Sequence, residues 1–527
     1  MSKRLDDKNN FKHLAKNPDV DVVKIKTERN SLGALKTLIV LLLVAVQLAV
    51  FIISPLYFLR DIRWVWYIAI VMTIITCLYV LSSNKNSQSK PVWILFLILC
   101  FSFGYVIYFI SHERIFWGNN KKKYDKVLKK SYDFVKQDSV KIKDVEIKNQ
   151  SEYLKRVGNF STYTNTKSKY FSSGASFFDS VLEDIKNAKD FIFIEYFIIS
   201  DGVLLKRFLS ILEQKVREGV DVRIIYDDLG SHKTFKRKTK RAIKNAGIKL
   251  QAFNKVLPKM TALLNYRDHR KIVSIDGKIA YTGGANLADE YTNEKRMHGY
   301  WKDAGIRLEG PAVDGLTLIF LRQWEFVSKE NIDYNKYLEK YEVFENESAI
   351  IPYADGLEYT DNIGKNVYTN MIANANKKLY IMSPYFVIDD TISNLLINKA
   401  KSGVDVRIIL PEIADKKFVY IISRNTAEKL TSYGVKLYTM KNSFVHSKVM
   451  LNDNSAVVGS INMDLRSFYQ QFESAVFVND KQTLMDINQD FNKTFENSVL
   501  IEKDKLKRNK FSFRLWAGVV NIISPFM

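Results

Sequence analysis

The heptapeptide Gly219–Ile225, GVDVRII, returns unchanged at Gly403–Ile409. An internal repeat constrains a chain more than any bulk property, because two copies of one unit must fold alike. The surroundings repeat too. An apolar strand precedes each copy, Asp190–Phe197 (DFIFIEYF) and Lys378–Phe386 (KLYIMSPYF). A helix with spaced apolar residues lies between strand and heptapeptide, at Leu204–Glu218 and Ile392–Ser402. After each copy come a loop, a further helix and a short strand, GIKLQAF at 247–253 and GVKLYTM at 434–440. This alternation predicts an α/β fold of two duplicated halves, 166–335 and 336–500. Each half should hold a mixed, mostly parallel sheet covered by helices, and the two should pack face to face.

The chain has only six histidines, yet one pattern around histidine occurs twice. The first half reads HRKIVSIDGKIAYTGGAN, with His269, Lys271, Asp276, Gly283 and Asn286. The second reads HSKVMLNDNSAVVGSIN, with His446, Lys448, Asp453, Gly459 and Asn462. Polar and apolar residues alternate here, so on a strand the His and Lys side chains share one face. One pair from each half can then converge on a single site. Two ammonium groups suit the equatorial oxygens of a phosphoryl group, and two imidazoles suit nucleophilic and acid–base roles near neutral pH. Asn286 and Asn462 can add neutral donors. Asp276 and Asp453 sit near hairpin turns, where Asp serves turn geometry as readily as it orients a neighbour. Glu195 ends the first strand and can orient a catalytic side chain from the other half or simply lie at the surface. No carboxylate–histidine cluster with metal spacing occurs, so no metal or other cofactor is expected.

What precedes the halves is different in kind. Thr37–Leu59, Trp64–Asn84 and Pro91–Ser111 carry no charge. Each is as long as the roughly 18–20 apolar residues that cross a bilayer, with aromatic residues near an end. The expected organisation is a basic tail at 1–35, a multi-pass membrane anchor at 36–112, and a solvated polar connector with some helix at 113–165. A basic amphipathic segment at 501–527 (KDKLKRNKFSFRLW within it) suits an anionic lipid surface. Residues 1–36 hold nine Lys or Arg, and Lys121, Lys122, Lys123 and Lys126 follow the third run. Positive flanks draw both segments toward the cytoplasm, although three full crossings would separate them. The apolar loop Val256–Tyr266 suits acyl chains, and the basic run Lys236–Arg241 suits headgroups or a solvated helix start.

The net charge of +22 calls for polyanionic partners, either nucleic acid or anionic lipid. The apolar runs favour lipid, and no aromatic stacking platform with basic interleaving supports nucleic acid. Two cysteines, Cys77 and Cys100, exclude a disulfide framework and a cysteine-ligated zinc site in the repeated halves.

The paired motifs resemble the phospholipase D superfamily, in which two HKD motifs share one active site. Over about residues 90–527 the chain resembles the bacterial cardiolipin synthases. IEYF with Glu195, DDLGS (Asp227–Ser231), YRDHRK, YTGGAN, WKDAGIRLEGPAV (Trp301–Val313), SPYF (Ser383–Phe386) and INMDLRSF (Ile461–Phe468) carry the resemblance. It implies a membrane enzyme that turns two phosphatidylglycerol molecules into cardiolipin and glycerol without a metal. The implied catalytic residues are His269, Lys271, Asp276, His446, Lys448 and Asp453. Asn286, Asn462, Glu195 and Ser460 are the expected substrate-binding residues. By analogy His269 is the nucleophile and His446 the acid and base. Phosphatidylglycerol, cardiolipin and an anionic membrane are the expected partners, in the bacterial cell membrane with the catalytic body in the cytoplasm. A hydrolytic phospholipase, a nuclease of the superfamily and an inactive membrane scaffold are the alternatives. Two departures stand out. Gly284 replaces the usual Ser or Thr after the motif glycine of the first half, and the second motif has one residue fewer between Asp453 and Gly459.

Overall fold

The structure, a computed structural model, describes residues 63–83, 89–101, 104–111, 113–136, 142–255 and 266–501. The tail 1–35, the apolar run 37–59, most of the loop 256–266 and the segment 502–527 lie outside the described residues. The described residues form two compact units, one drawn from 63–83 and 93–106, the other from 89–92 and 107–501.

In the first unit, helix α1 (Arg63–Ser82) is apolar nearly all round. Tyr67, Ile68, Val71, Ile74, Ile75 and Leu78 are all exposed on it. Two shorter apolar helices follow, α2 (Ser89–Leu99) and α3 (Gly104–Ser111). Among the described residues no helix is long and apolar enough to cross a membrane.

The second unit holds the repeat. Its first half has strands β1 (Lys167–Phe171), β2 (Phe191–Tyr196), β3 (Asp221–Asp227), β4 (Lys249–Phe253), β5 (Arg267–Asp268), β6 (Lys271–Ile275), β7 (Ile279–Gly283), β8 (Tyr300–Lys302) and β9 (Gly305–Glu309). Its second half has β10 (Ile350–Asp355), β11 (Lys378–Met382), β12 (Phe386–Val387), β13 (Asp405–Pro411), β14 (Lys436–Met440), β15 (Ser443–Val445), β16 (Val449–Leu451), β17 (Ala456–Gly459), β18 (Met463–Asp464), β19 (Gln471–Val478) and β20 (Ser498–Leu500). The two main sheets run β1-β9-β7-β6-β2-β3-β4 and β10-β19-β17-β16-β11-β13-β14-β20. Matching strands occupy matching places. The backbone repeats as well: Gly219 and Gly403, which end the first helix of each repeat, have φ of 90° and 91°. Only glycine enters that region freely.

One expectation needs correcting. Along the two main sheet orders only β2-β3-β4 and β11-β13-β14 pair in parallel. The remaining neighbours are antiparallel, because the motif hairpins β6–β7 and β16–β17 turn straight back instead of crossing over a helix. The sheets are mixed rather than mostly parallel.

The connector is also not merely solvated. Helices α4 (Glu113–Tyr132) and α5 (Val145–Gly158) dock on the body. Tyr124 and Leu128, four residues apart on one face of α4, are buried, as are Ile147 and Leu154 on α5. The Tyr124 hydroxyl donates to Gln323 Oε1 at 3.0 Å. A narrow apolar stripe beneath many lysines is enough to seat each helix.

Candidate active site

Each histidine is held by the half that does not carry it. Strand β5 pairs with β19 of the second half, and β15 pairs with β8 of the first. His269 N–H donates to the Phe472 carbonyl at 2.8 Å, and His446 N–H to the Lys302 carbonyl at 2.7 Å. The next residue of each partner segment is acidic. His269 Nδ1 lies 3.0 Å from both oxygens of Glu473, and His446 Nδ1 lies 2.7 Å from Asp303 Oδ2. Crossed strand pairing thus fixes the backbone and ring of both histidines. Both rings line one cavity of about 290 Å³.

The lysines lie just behind. Lys271 Nζ and Lys448 Nζ each donate to the carbonyl of their own motif histidine, and Lys448 Nζ also lies 2.8 Å from His446 Nδ1. Burial sets the electrostatics. It holds both imidazoles well below the ordinary histidine range, and Lys271 and Lys448 reinforce the effect. Burial pulls Lys271 down to about 8 and Lys448 down to about 7, against the attraction of Glu473 and Asp303 respectively. Burial pushes Glu473 up to about 8 and Asp303 up to about 7, opposed chiefly by Lys271 and Lys448. Both lysines and both carboxylates therefore gain or lose charge close to neutrality, and a bound phosphodiester anion would hold both lysines charged.

The remaining expected residues divide. Asn286 and Asn462 line the cavity. Asn286 is fully engaged: its Oδ1 accepts from Ile198 N–H at 3.1 Å and its Nδ2 donates to the Tyr291 hydroxyl at 2.7 Å. Asn462 is buried, and its Oδ1 has no partner. Asp276 and Asp453 do not reach the cavity. Asp276 accepts from the N–H groups of Lys189, Asp190 and Phe191 at 2.7–2.8 Å. Asp453 accepts from those of Asn376, Lys377 and Lys378 at 2.6–3.0 Å. Each clamps the start of the strand beside its motif strand, and the shorter second turn leaves that clamp intact. Asp276 does so with φ of 53°, a conformation Asp tolerates better than most.

Ser460 and Glu195 do not line the cavity either. Ser460 is buried behind His269 and donates from Oγ to Glu473. Glu195 is fully buried and faces Asp268 rather than the surface or the cavity. Burial, then the Asp268 charge, raises its carboxyl well above the usual range. Behind the site, Arg270 donates to Glu358 at 2.7 Å and to the Glu473 carbonyl at 3.2 Å, tying the halves together.

Sequence reasoning missed Asp303 and Glu473. They stand in WKDAG and QFESA, each beside the strand that follows a motif hairpin. That parallel was visible, but the histidine each serves belongs to the other half. Gly284 also finds its reason: a Cβ there would lie 2.2 Å from Asp303 Oδ1 and 3.0 Å from the His446 carbonyl. The hydroxyl usual at this position has no room.

This arrangement, a duplicated α/β body with two His–Lys pairs crossing onto each other's carboxylates, defines an enzyme of the phospholipase D superfamily. The family model described as "Cardiolipin synthase, PLD-like domain" matches residues 181–298 and 368–498. "Cardiolipin synthase 1" of Staphylococcus epidermidis is 31% identical over 88% of this chain and 97% of its own length. "Cardiolipin synthase 2" of Bacillus anthracis is 35% identical over 71% of this chain and 73% of its own. An "Uncharacterized protein" of Streptococcus mutans is 36% identical over 85% of this chain and 99% of its own. The chain belongs to the cardiolipin synthase family, and its function is phosphatidyl transfer. The fold is also that of a phosphatidylserine synthase from Haemophilus influenzae, with a TM-score of 0.57 at 13% identity over 72% of this chain and all of that one.

Proposed function

We propose that the protein converts two phosphatidylglycerol molecules into cardiolipin and glycerol through a covalent phosphatidyl-histidine. The crossed His–carboxylate pairing around one cavity carries this reading. His269 is the nucleophile. Its Nδ1 meets the Glu473 carboxylate, so the ring keeps its proton there and turns the Nε2 lone pair to the cavity. His446 is the acid and base. Its Nδ1 lies between a donor, Lys448 Nζ, and an acceptor, Asp303, so the proton at Nε2 is free to come and go. Asp303 and Lys448, both pulled to about 7, can restore a proton at Nδ1 when Nε2 gives one up.

The steps follow. His269 Nε2 attacks phosphorus, an N–P bond forms and the P–O bond to glycerol breaks. His446 gives the departing oxygen its proton. A primary hydroxyl of the second lipid then returns a proton to His446 Nε2, its oxygen bonds to phosphorus, and the N–P bond breaks. Lys271 and Lys448 stabilise charge on the equatorial oxygens. Turnover in the presence of a chelator is therefore expected.

Val387, Val419, Ile422 and Leu465 give the cavity an apolar wall suited to acyl chains. The exposed apolar surface of α1 supports attachment to the anionic bacterial cell membrane, with the catalytic body on the cytoplasmic side. The test is the purified full-length protein in phosphatidylglycerol vesicles, with products separated by lipid class. One glycerol per cardiolipin is the expected result. Phosphatidic acid in place of cardiolipin would mean water is the acceptor, and no product would mean a site without turnover.

A further inference from the structure

The duplication makes the cavity nearly symmetric, so the places where symmetry fails carry information. Counting in register from the two asparagines, Asn286-Leu-Ala-Asp-Glu290-Tyr291 faces Asn462-Met-Asp-Leu-Arg466-Ser467. Glu290 on one wall answers to Arg466 on the other, and both line the cavity. Tyr291, which ties down the Asn286 amide, answers to Ser467, and Asn462 Oδ1 is left buried without a partner. The second-half wall also carries Lys416. A site handling two identical headgroups in identical ways would need none of these differences.

Resting on the transferase reading above, we propose that Arg466 and Lys416 form the subsite for the acceptor's phosphodiester. They thereby select a lipid phosphodiester over water or free glycerol as acceptor. The motif lysines are already engaged beside the histidines, where the reacting phosphorus must sit. Arg466 and Lys416 make no ion pair among the described residues. Lys416 Nζ lies 5.4 Å over the Tyr385 ring, and Arg466 Nε lies 3.3 Å from the Gln471 amide oxygen in the orientation that satisfies that amide. Their charges are felt at the reaction centre: both depress the His269 imidazole, and Lys416 also depresses His446.

Arg466 is held in place because Asp464 caps its helix, accepting from Ser467 N–H at 2.8 Å. The same cavity offers acceptors. Asn462 Oδ1 is unfilled, and Asp415 accepts from the Tyr385 hydroxyl at 2.5 Å with a second oxygen to offer. A ligand carrying both a hydroxyl donor and a phosphodiester suits that set of groups. Water and free glycerol lack the phosphodiester. An unfilled buried acceptor costs free energy in the empty enzyme and is relieved by such a ligand, whose phosphodiester also gains charge-assisted hydrogen bonds from the two cations.

The experiment uses the full-length protein in phosphatidylglycerol vesicles containing labelled free glycerol. Two readouts are taken: cardiolipin formed, and label exchanged into phosphatidylglycerol by reversal of the first step. In the Arg466→Gln/Lys416→Gln double variant, cardiolipin formation should fall at least tenfold further than exchange. The exposed single variant Lys416→Gln should shift the ratio the same way by a smaller factor. The charge-keeping pair Arg466→Lys and Lys416→Arg should bring the ratio to within about threefold of the unaltered enzyme. Parallel loss of both readouts, or no change in either, would overturn the subsite. Absence of both cardiolipin and exchange in the unaltered enzyme would overturn the transferase reading itself, and the subsite with it.

Discussion

The two histidines share a fold, a strand position and a crossed carboxylate, yet their surroundings differ. Behind His269, Glu473 spans Nδ1 with both oxygens and also accepts from Ser460. Behind His446, Asp303 holds Nδ1 with one oxygen, Lys448 Nζ approaches the same nitrogen, and Gly284 replaces the serine. The first setting fixes one tautomer, and the second leaves the proton a choice. Duplication supplied two equal frames, and small substitutions behind the rings make the two settings unequal, as the proposed division of roles requires.

The largest effect should separate the histidines. His269→Ala and His446→Ala should each cut turnover on phosphatidylglycerol by about 10⁴-fold or more. With a lipid ester carrying a good leaving group, such as p-nitrophenol, His446→Ala should recover a burst of leaving-group release, whereas His269→Ala should not. Recovery in both, or in His269→Ala alone, would break the assigned division. Next come the carboxylates. Glu473→Gln and Asp303→Asn should each cost about 10²–10⁴-fold in kcat by losing the orienting charge. Circular dichroism spectra should remain unchanged.

The pH response comes third. Lys448 and Lys271 are charged below about 7 and about 8 and lose that charge above those values. An anionic lipid is then bound less well, so kcat/KM should fall as pH rises through roughly 7 to 8. An ordinary lysine would hold its charge to about pH 10. A profile flat to about pH 9 would contradict the assignment. The smallest catalytic effect belongs to the motif aspartates. Asp276→Ala loses three backbone hydrogen bonds to a carboxylate, for about 2–4 kcal/mol of stability. Activity per folded molecule should stay within about twofold. A large kcat loss at unchanged thermal stability would return Asp276 to the catalytic machinery.

Much of this was legible in the sequence because repetition multiplies weak signals. GVDVRII and its flanking elements placed the strands in both sheets. The period-two alternation in HRKIVSID and HSKVMLND predicts His and Lys on one strand face; the structure keeps each pair together, but His269, His446 and Lys448 stand just outside the short strands. What stayed hidden depends on contacts between segments far apart in the chain. Asp303 and Glu473 act across the interface, so neither stands near the histidine it serves. Asp276 and Asp453 look like partners of their own motif, but a carboxylate at a tight turn finds the N–H groups of the neighbouring strand first. Glu195 reads from the sequence as either an orienting residue or a surface one, because only the fold reveals its burial beside Asp268. The docking of α4 rests on a stripe no wider than Tyr124 and Leu128, which lysine-rich composition conceals.

The crossed site stands or falls on where the phosphatidyl group resides between half-reactions. The full-length enzyme would be mixed with phosphatidylglycerol labelled at phosphorus, quenched within a turnover in alkaline detergent, and digested for peptide mapping. Label should appear on the peptide carrying His269 and decay as cardiolipin forms. Label on the His446 peptide, or none at all during active turnover, would contradict the account.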